Sequence, residues 1–236
     1  MGRIASAVHS EGRKKTGMRK WTQGEELRRI LMTLFGVLVC AFSVGMFSHS
    51  GMGVDPFQVL AQSLGRHVKA RAGLDYGTFY MILNLAMLVG IFFWNRGKIG
   101  LGTVMNIFLV GYIATFSEQL MQQIFPEPGL PARIALLAVA VVVMCFGSAF
   151  YFTGDLGVST YDAVALTLSE RTQKKYFKYI RISTDLLCVG AGWFLGGADK
   201  IGAGTIITAL FMGPLISLFR RTAAEPVRYG RKKQGS

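Results

Sequence analysis

The sequence predicts an all-α, polytopic membrane protein built as two tandem repeats, with six spanning helices and two short membrane-embedded ones. Three observations predict it: long charge-free stretches, a glycine-bounded phrase written twice, and a second block that recurs in the same order. The chain has 236 residues, of which 51% are hydrophobic and 17% charged. A soluble domain carries about 25% charged residues. No Asp, Glu, Lys or Arg falls between Arg29 and Asp55, Asp75 and Arg96, Lys98 and Glu118, Arg133 and Asp155, or Lys200 and Arg220. A further apolar run follows Asp185 as far as Gly197. A helix needs roughly 17–25 apolar residues to cross the hydrocarbon core, so these stretches suit spans.

In chain order, residues 1–29 form a basic tail with Arg3, Arg13, Lys14, Lys15, Arg19, Lys20, Arg28 and Arg29. The tail and the span after it are both too long for an ordinary cleaved signal peptide, so the first span is read as retained. The first membrane repeat covers 30–121, a connecting loop 122–131, the second repeat 132–221, and a second basic tail 222–236. That tail holds Arg228, Arg231, Lys232 and Lys233, just after Arg220 and Arg221. Basic flanks beside spans predict that both termini are cytoplasmic. They also predict attraction to anionic lipid headgroups. The net charge of +13 is therefore assigned to the membrane surface, and nucleic acid is not expected as a partner.

The duplicated phrase is Met52-Gly53-Val54, which matches Leu156-Gly157-Val158 at an offset of 104 residues. Phe57 then matches Tyr161, and Leu64 matches Leu168. Lys98–Gly111 (KIGLGTVMNIFLVG) matches Lys200–Gly213 (KIGAGTIITALFMG) at an offset of 102. Each half reads as a long span, a glycine break, a short helix, a second span, a tight glycine turn and a third span. Three crossings per half is an odd number, so the second half enters from the opposite side and the repeat is inverted. The alternative counts eight crossings in a parallel repeat. Six crossings put Arg66, Lys69 and Arg71 outside, against the charge rule; eight put Arg96 and Lys98 outside. Length favours six, because Val54–Leu64 and Val158–Leu168 would each rise only about 17 Å against a core of about 30 Å.

Both short helices begin with capping residues. Asp55-Pro56-Phe57-Gln58 offers an acid at the N-cap, proline at the first helical position and Gln at the third. Ser159-Thr160-Tyr161-Asp162 offers a hydroxyl cap and an acid at the third position. In lipid such caps are needed for backbone reasons alone. They also aim two positive dipole ends into the protein interior, and paired broken helices mark the central site of many transporters. Asn84 lies mid-span and corresponds to Asp185 at an offset of 101. Arg181 and Asp185 share one helix face four residues apart. Ionisable residues inside a membrane face the bundle interior and carry function; the structural alternative is a mutual pair with Arg181 snorkelling to the headgroups. The candidate solute-binding residues are Asp55, Pro56, Asn84, Asp162, Arg181 and Asp185.

Other features point to structure. GLGT and GAGT lack the Gly-Lys-Ser/Thr ending of a phosphate loop and are read as tight turns, with Thr103 and Thr205 capping the helices they open. Asn106 and Thr208 are expected to bond between helices. Gly213-Pro214 is expected to kink the last span. Cys40, Cys145 and Cys188 have no metal-ligand spacing, and His49 stands alone near a span end. No catalytic constellation, metal site or cofactor motif is present, so neither an enzyme nor a bound cofactor is expected.

Gly53-Val54-Asp55-Pro56-Phe57, Asn84, the Arg181/Asp185 pair, and Gly202-Ala203-Gly204-Thr205 with Gly213-Pro214 resemble the YczE/YyaS/YitT group of bacterial integral membrane proteins. The resemblance covers essentially residues 30–220. It implies a bacterial inner-membrane location. The second half departs from it in replacing the proline with Thr160. The function expected from the residues is a small-solute permease with its site between the halves. The alternative is a non-transporting membrane scaffold or accessory subunit for a partner protein.

Overall fold

A computed structural model of the chain describes residues 23–94, 99–171 and 177–230. The tail residues Arg3 to Lys20 and Arg231 to Lys233, together with Arg96 and Lys98, lie outside these. The described residues form helices joined by short breaks and turns, with no strand among them: α1 Gln23–Ser50, α2 Pro56–Ala72, α3 Tyr76–Trp94, α4 Leu101–Ile124, α5 Leu130–Gly154, α6 Thr160–Arg171, α7 Phe177–Phe194, α8 Ala203–Phe219 and α9 Glu225–Tyr229. A single 3₁₀ turn, Ala198–Lys200, precedes α8, and a π turn, Arg220–Ala224, joins α8 to α9.

Five segments among the described residues are long and apolar enough to cross a membrane: α1, α3, α4, α5, and α8 taken together with α9. The sequence predicts six spans. The sixth, α7, has 18 residues but carries Lys178, Arg181 and Asp185, which sets it apart from the apolar five. Val139, Val142, Leu186, Leu187, Ile206 and Leu210 point outward and stay exposed, an arrangement suited to lipid rather than water.

At the centre, α1 and α5 run antiparallel along their whole length. Arg29 Nε donates to Gly154 O at 2.9 Å at one end, and Arg133 Nε donates to Ser50 O at 2.6 Å at the other. Between these ends the two backbones nearly touch: a methyl group on Gly147 would sit 2.9 Å from Cys40 N. Small residues at such a crossing allow the close packing that drives helix association in membranes. Val44, Phe47, Leu137, Ala140, Val141 and Met144 fill the core beside it. α4 covers another face of α1, where the Ser117 hydroxyl donates to Phe42 O at 2.7 Å.

Each break after a long helix is docked onto the glycine turn of the other half. Gly204 N–H donates to Met52 O at 2.8 Å, and Gly102 N–H donates to Leu156 O at 2.7 Å. The Thr205 hydroxyl donates to Val54 O and the Thr103 hydroxyl to Val158 O, both at 2.7 Å. Both threonine oxygens also accept from their own turn, Gly100 N at 3.2 Å and Gly202 N at 3.3 Å. Thr103 and Thr205 thus cap α4 and α8 as expected, and in addition tie the halves together. Several backbone groups of each break thus find partners within the protein, which is what a hydrocarbon surrounding demands.

The first short helix is longer than its sequence pattern suggests. α2 starts at Pro56, two residues after Val54, and runs on to Ala72, about 25 Å in all. Val54 lies outside the helix, before the Asp55 cap, and its N–H is bonded to Lys200 O at 3.1 Å. Nothing stops the helix until Gly73, whose φ of 68° lets its N–H close onto Lys69 O. The second short helix, α6, has 12 residues, or about 18 Å. The last turns of α2 lie against the end of α7: His67 Nε2 bonds to Leu195 O at 2.8 Å, and Arg66 donates to Asp199 at 2.7 Å. Burial pushes the Asp199 carboxyl up, but the hydrogen bond and charge of Arg66 outweigh it and hold it below the usual range. Both partners are about half exposed, so the pair adds little stability.

Smaller expectations have mixed outcomes. His49 makes one bond, to Phe125 O at 2.8 Å. The Thr208 hydroxyl does not reach another helix; it turns back onto Gly204 O at 2.9 Å and Thr205 O at 3.1 Å in its own. α8 runs on through Pro214 as a single helix, and the π turn follows six residues later.

The N-cap of α2 gives a direct test. Asp55 Oδ1 accepts from Gln58 N at 3.2 Å. Asp55→Ala removes that acceptor and is expected to cost about 1 kcal/mol, whereas Asp55→Asn, which still caps, is expected to cost a few tenths. Melting of the two detergent-purified variants distinguishes the cap from the charge.

Candidate functional site

The two short helices begin next to each other. Their second residues, Phe57 on α2 and Tyr161 on α6, stack with ring centroids 4.9 Å apart and planes 16° from parallel. Each start is built by its own cap. At α6 the Ser159 hydroxyl oxygen accepts from Asp162 N at 3.1 Å and donates to Asp162 Oδ2 at 2.8 Å. At α2 the box is only half formed. The Gln58 side chain does not turn back to the cap; its Oε1 accepts from the Tyr76 hydroxyl at 2.5 Å. Pro56, at the first helical position, is buried and leaves no amide to satisfy there.

Around this stack most of the predicted residues meet at the start of α6. Asn84 on α3 is 1% exposed. Its Oδ1 accepts from the Thr160 hydroxyl, and its Nδ2 donates to Tyr80 O at 2.8 Å. On α7, Arg181 pairs with Asp162 across the helices, and its Nε lies 3.5 Å from Asp185 Oδ1 within its own helix. The expected partner four residues away is therefore present, but the closer one comes from α6. The Arg181 guanidinium also lies 4.6 Å from the centroid of the Tyr161 ring, and the Tyr161 hydroxyl donates to Asp185. Arg181 does not snorkel away; it is held by two carboxylates and an aromatic face.

Asp55 stands at the edge of the network. It is half-buried. Among the described residues no ion pair joins it to a cation. Of the six candidates, Asp162, Arg181 and Asp185 are joined directly, Asn84 is tied to the start of α6 through Thr160, and Asp55 and Pro56 precede the stacked Phe57.

Sequence reasoning passed over Thr160, Tyr161 and Tyr80 as members of the site, although Thr160 and Tyr80 bond Asn84 and Tyr161 bonds Asp185. Phe57 and Tyr161 were visible as a matched pair, but matching does not imply touching. The hydroxyl partners of Thr160 and Tyr161 lie 76 and 24 residues away, so no local pattern announces them.

Comparison with known proteins bears on the chain as a whole. Residues 27–221 match the family described as "Family of unknown function (DUF6198)". The chain belongs to this family. Among relatives of this DUF6198 chain, an "Uncharacterized protein" of Haemophilus influenzae (strain KW20 / Rd) is 23% identical over 201 residues, covering 84% of the chain and 85% of the relative. The "Uncharacterized membrane protein YczE" of Bacillus subtilis (strain 168) is 26% identical over 183 residues, covering 77% and 80%. The resemblance read from the glycine motifs and Asn84 is thus met by similarity along most of the DUF6198 region. No solved structure matches.

Proposed function

We propose that this membrane protein is a small-solute permease whose site lies where α2 and α6 begin, between two inverted repeats that arose by duplication. A single observation carries the reading: two helix starts, each following a break, stack on one another and hold a carboxylate–guanidinium–carboxylate network at their meeting point. Helix starts inside a bilayer offer positive dipole ends and amides, the setting in which transporters bind solutes. The reciprocal docking of each break on the opposite turn supports the duplication, since the glycine amide and threonine hydroxyl bonds of one half have counterparts in the other.

In this reading α2 and α6 re-enter the membrane, and α7 is the sixth span, its charged face turned inward. Both termini are cytoplasmic, in the bacterial inner membrane, with the basic tails against anionic headgroups. Arg66 then lies outside, and its pairing with Asp199 tempers that exception to the charge rule. No catalytic step is assigned. The second reading, a scaffold or accessory subunit, draws on the same network, because most of its polar groups find partners within the protein.

The two readings separate in an accessibility experiment. Single cysteines at positions 55 and 162, in a background without Cys40, Cys145 and Cys188, are treated in membranes with an impermeant maleimide. A permease is expected to label at one or both positions, with the labelling dependent on conditions that shift its conformation. Complete protection of both, under every condition, would leave the scaffold.

A further inference from the structure

The start of α1 borders an apolar groove that the network at α2 and α6 does not use. Among the described residues it is lined by Leu27, Arg28, Leu31 and Phe35 of α1, Phe150 of α5 and Val227 of α9, and its volume is about 420 Å³. Sites for small organic molecules span roughly 300–1,000 Å³. Leu27, Leu31 and Phe35 recur every four residues, so they form one stripe of the helix, and each is about half exposed. Met32, which also lines the groove, is buried and clusters with Ala149 and Ala224. Phe35 and Phe150 meet edge-on with ring centroids 5.3 Å apart. The last wall, α9, is pinned across the end of α5 by two arginines: Arg28 donates to Arg228 O at 3.2 Å, and Arg228 donates to Thr153 O.

The groove has a charged end and an apolar end. Arg28 stands at the edge of the charge-free stretch that begins after Arg29, and Phe35 lies seven residues, about 10 Å, further along the helix. The other described arginines nearby are committed to carboxylates. Arg29 and Arg228 share Asp155, and Arg220 pairs with Glu225 at 3.0 Å. Arg28 is exposed, and its guanidinium bonds the Arg228 carbonyl but no carboxylate among the described residues. A guanidinium carries five N–H donors in a fork that suits phosphate, so one carbonyl bond leaves donors to spare. Glu25 and Glu26 share the first turn of α1, but the chain on either side is basic: Arg19 and Lys20 precede it, and Arg231, Lys232 and Lys233 follow α9.

The structure assigns this groove to one anionic phospholipid, with an acyl chain along Leu31 and Phe35 and the headgroup phosphate on Arg28. In a membrane chain an apolar groove is filled from the bilayer, and a basic residue at headgroup level favours an anionic lipid over a zwitterionic one. This is a single seat with a named arginine, distinct from the general attraction of basic flanks to headgroups. It does not depend on whether the protein transports a solute.

The test uses the full-length protein in dodecyl maltoside, followed by native mass spectrometry and by melting. Dioleoylphosphatidylglycerol and dioleoylphosphatidylcholine are the probes, added at equal concentrations. One saturable phosphatidylglycerol is expected, preferred at least about fivefold over phosphatidylcholine, as one arginine near a membrane surface provides. Arg28→Gln is expected to erase that preference by weakening only the anionic lipid, and Arg28→Lys to keep most of it. Leu31→Trp fills the groove and is expected to weaken both lipids about tenfold. Leu210→Trp, at an outward-facing position of α8, is the control and is expected to leave both unchanged. Positions 28 and 31 are exposed, so melting without lipid is expected to stay close to that of the unaltered protein. Equal binding of the two lipids, an undiminished preference in Arg28→Gln, or equal effects of Leu31→Trp and Leu210→Trp overturns the assignment. So does a dimer that Leu31→Trp breaks and Leu210→Trp does not, which would give the groove to a second copy of the chain.

Discussion

Replacing Arg181 with alanine is expected to give the largest loss of stability of any change in the central network. The guanidinium joins Asp162 of α6 to Asp185 of α7 and covers the face of Tyr161. Without it, two carboxylates face each other in a largely buried setting. Removing one partner of a buried ion pair costs about 3–5 kcal/mol, much of it from the stranded opposite charge. Because the Arg181 side chain keeps 31% of its exposure, the lower end is expected, about 3 kcal/mol. For a chain of this size that is a fall of roughly 6–12 °C in melting temperature. The origin of the loss is checked by neutralising the stranded acids. A triple variant with Arg181→Gln, Asp162→Asn and Asp185→Asn is expected to recover most of the fall, as coupled sites do in a mutant cycle. A triple variant no more stable than Arg181→Ala would assign the loss to packing instead.

The second large effect is expected at Gly53 and Gly157. Their φ angles are +104° and +106°, values that side-chain-bearing residues rarely adopt. A methyl group on Gly53 would lie 2.6 Å from Gly202 N and 2.9 Å from Thr205 Oγ1. On Gly157 it would lie 2.7 Å from Gly100 N and 2.8 Å from Thr103 Oγ1. Backbone strain of about 1–3 kcal/mol adds to overpacking of about 1–3 kcal/mol, so either glycine-to-alanine change is expected to cost on the order of 4 kcal/mol. Yield of folded, monodisperse protein and its melting temperature report the effect. Gly90→Ala is the control: nothing lies within 4 Å of its would-be Cβ, and it sits in mid-helix on α3. It is expected to be neutral or to stabilise by up to about 1 kcal/mol. A fall at Gly90 equal to that at Gly53 would mean that helix propensity, not docking of the breaks, sets the cost.

These two sites also mark how far the sequence could be read. The spans follow from charge-free length alone, because a backbone in lipid must be helical and its side chains apolar. The breaks, the cap at Asp55 and the cap at Ser159 follow from residue types whose conformational preferences are local. The four-residue spacing of Arg181 and Asp185 follows from helix geometry. The matched glycine phrases were legible as well, and Gly53 and Gly157 have nearly the same φ. The length of α2 was not: its stop depends on Gly73, whose N–H closes onto Lys69 O, although its start at Pro56 was legible in the Asp55 cap and the proline.

What tertiary structure alone decided is which ends meet. The sequence by itself determined that this is an all-helical membrane chain with two interrupted helices and a handful of polar groups that need partners. It could not say that Phe57 stacks on Tyr161, that Thr160 donates to Asn84, or that Arg181 prefers Asp162 on another helix to Asp185 on its own. Caps, turns and spans are set by neighbours a few residues apart, where propensity acts. The pairing of polar groups across helices is set by how the halves dock, through bonds between residues some 55 to 150 positions apart that no local pattern encodes.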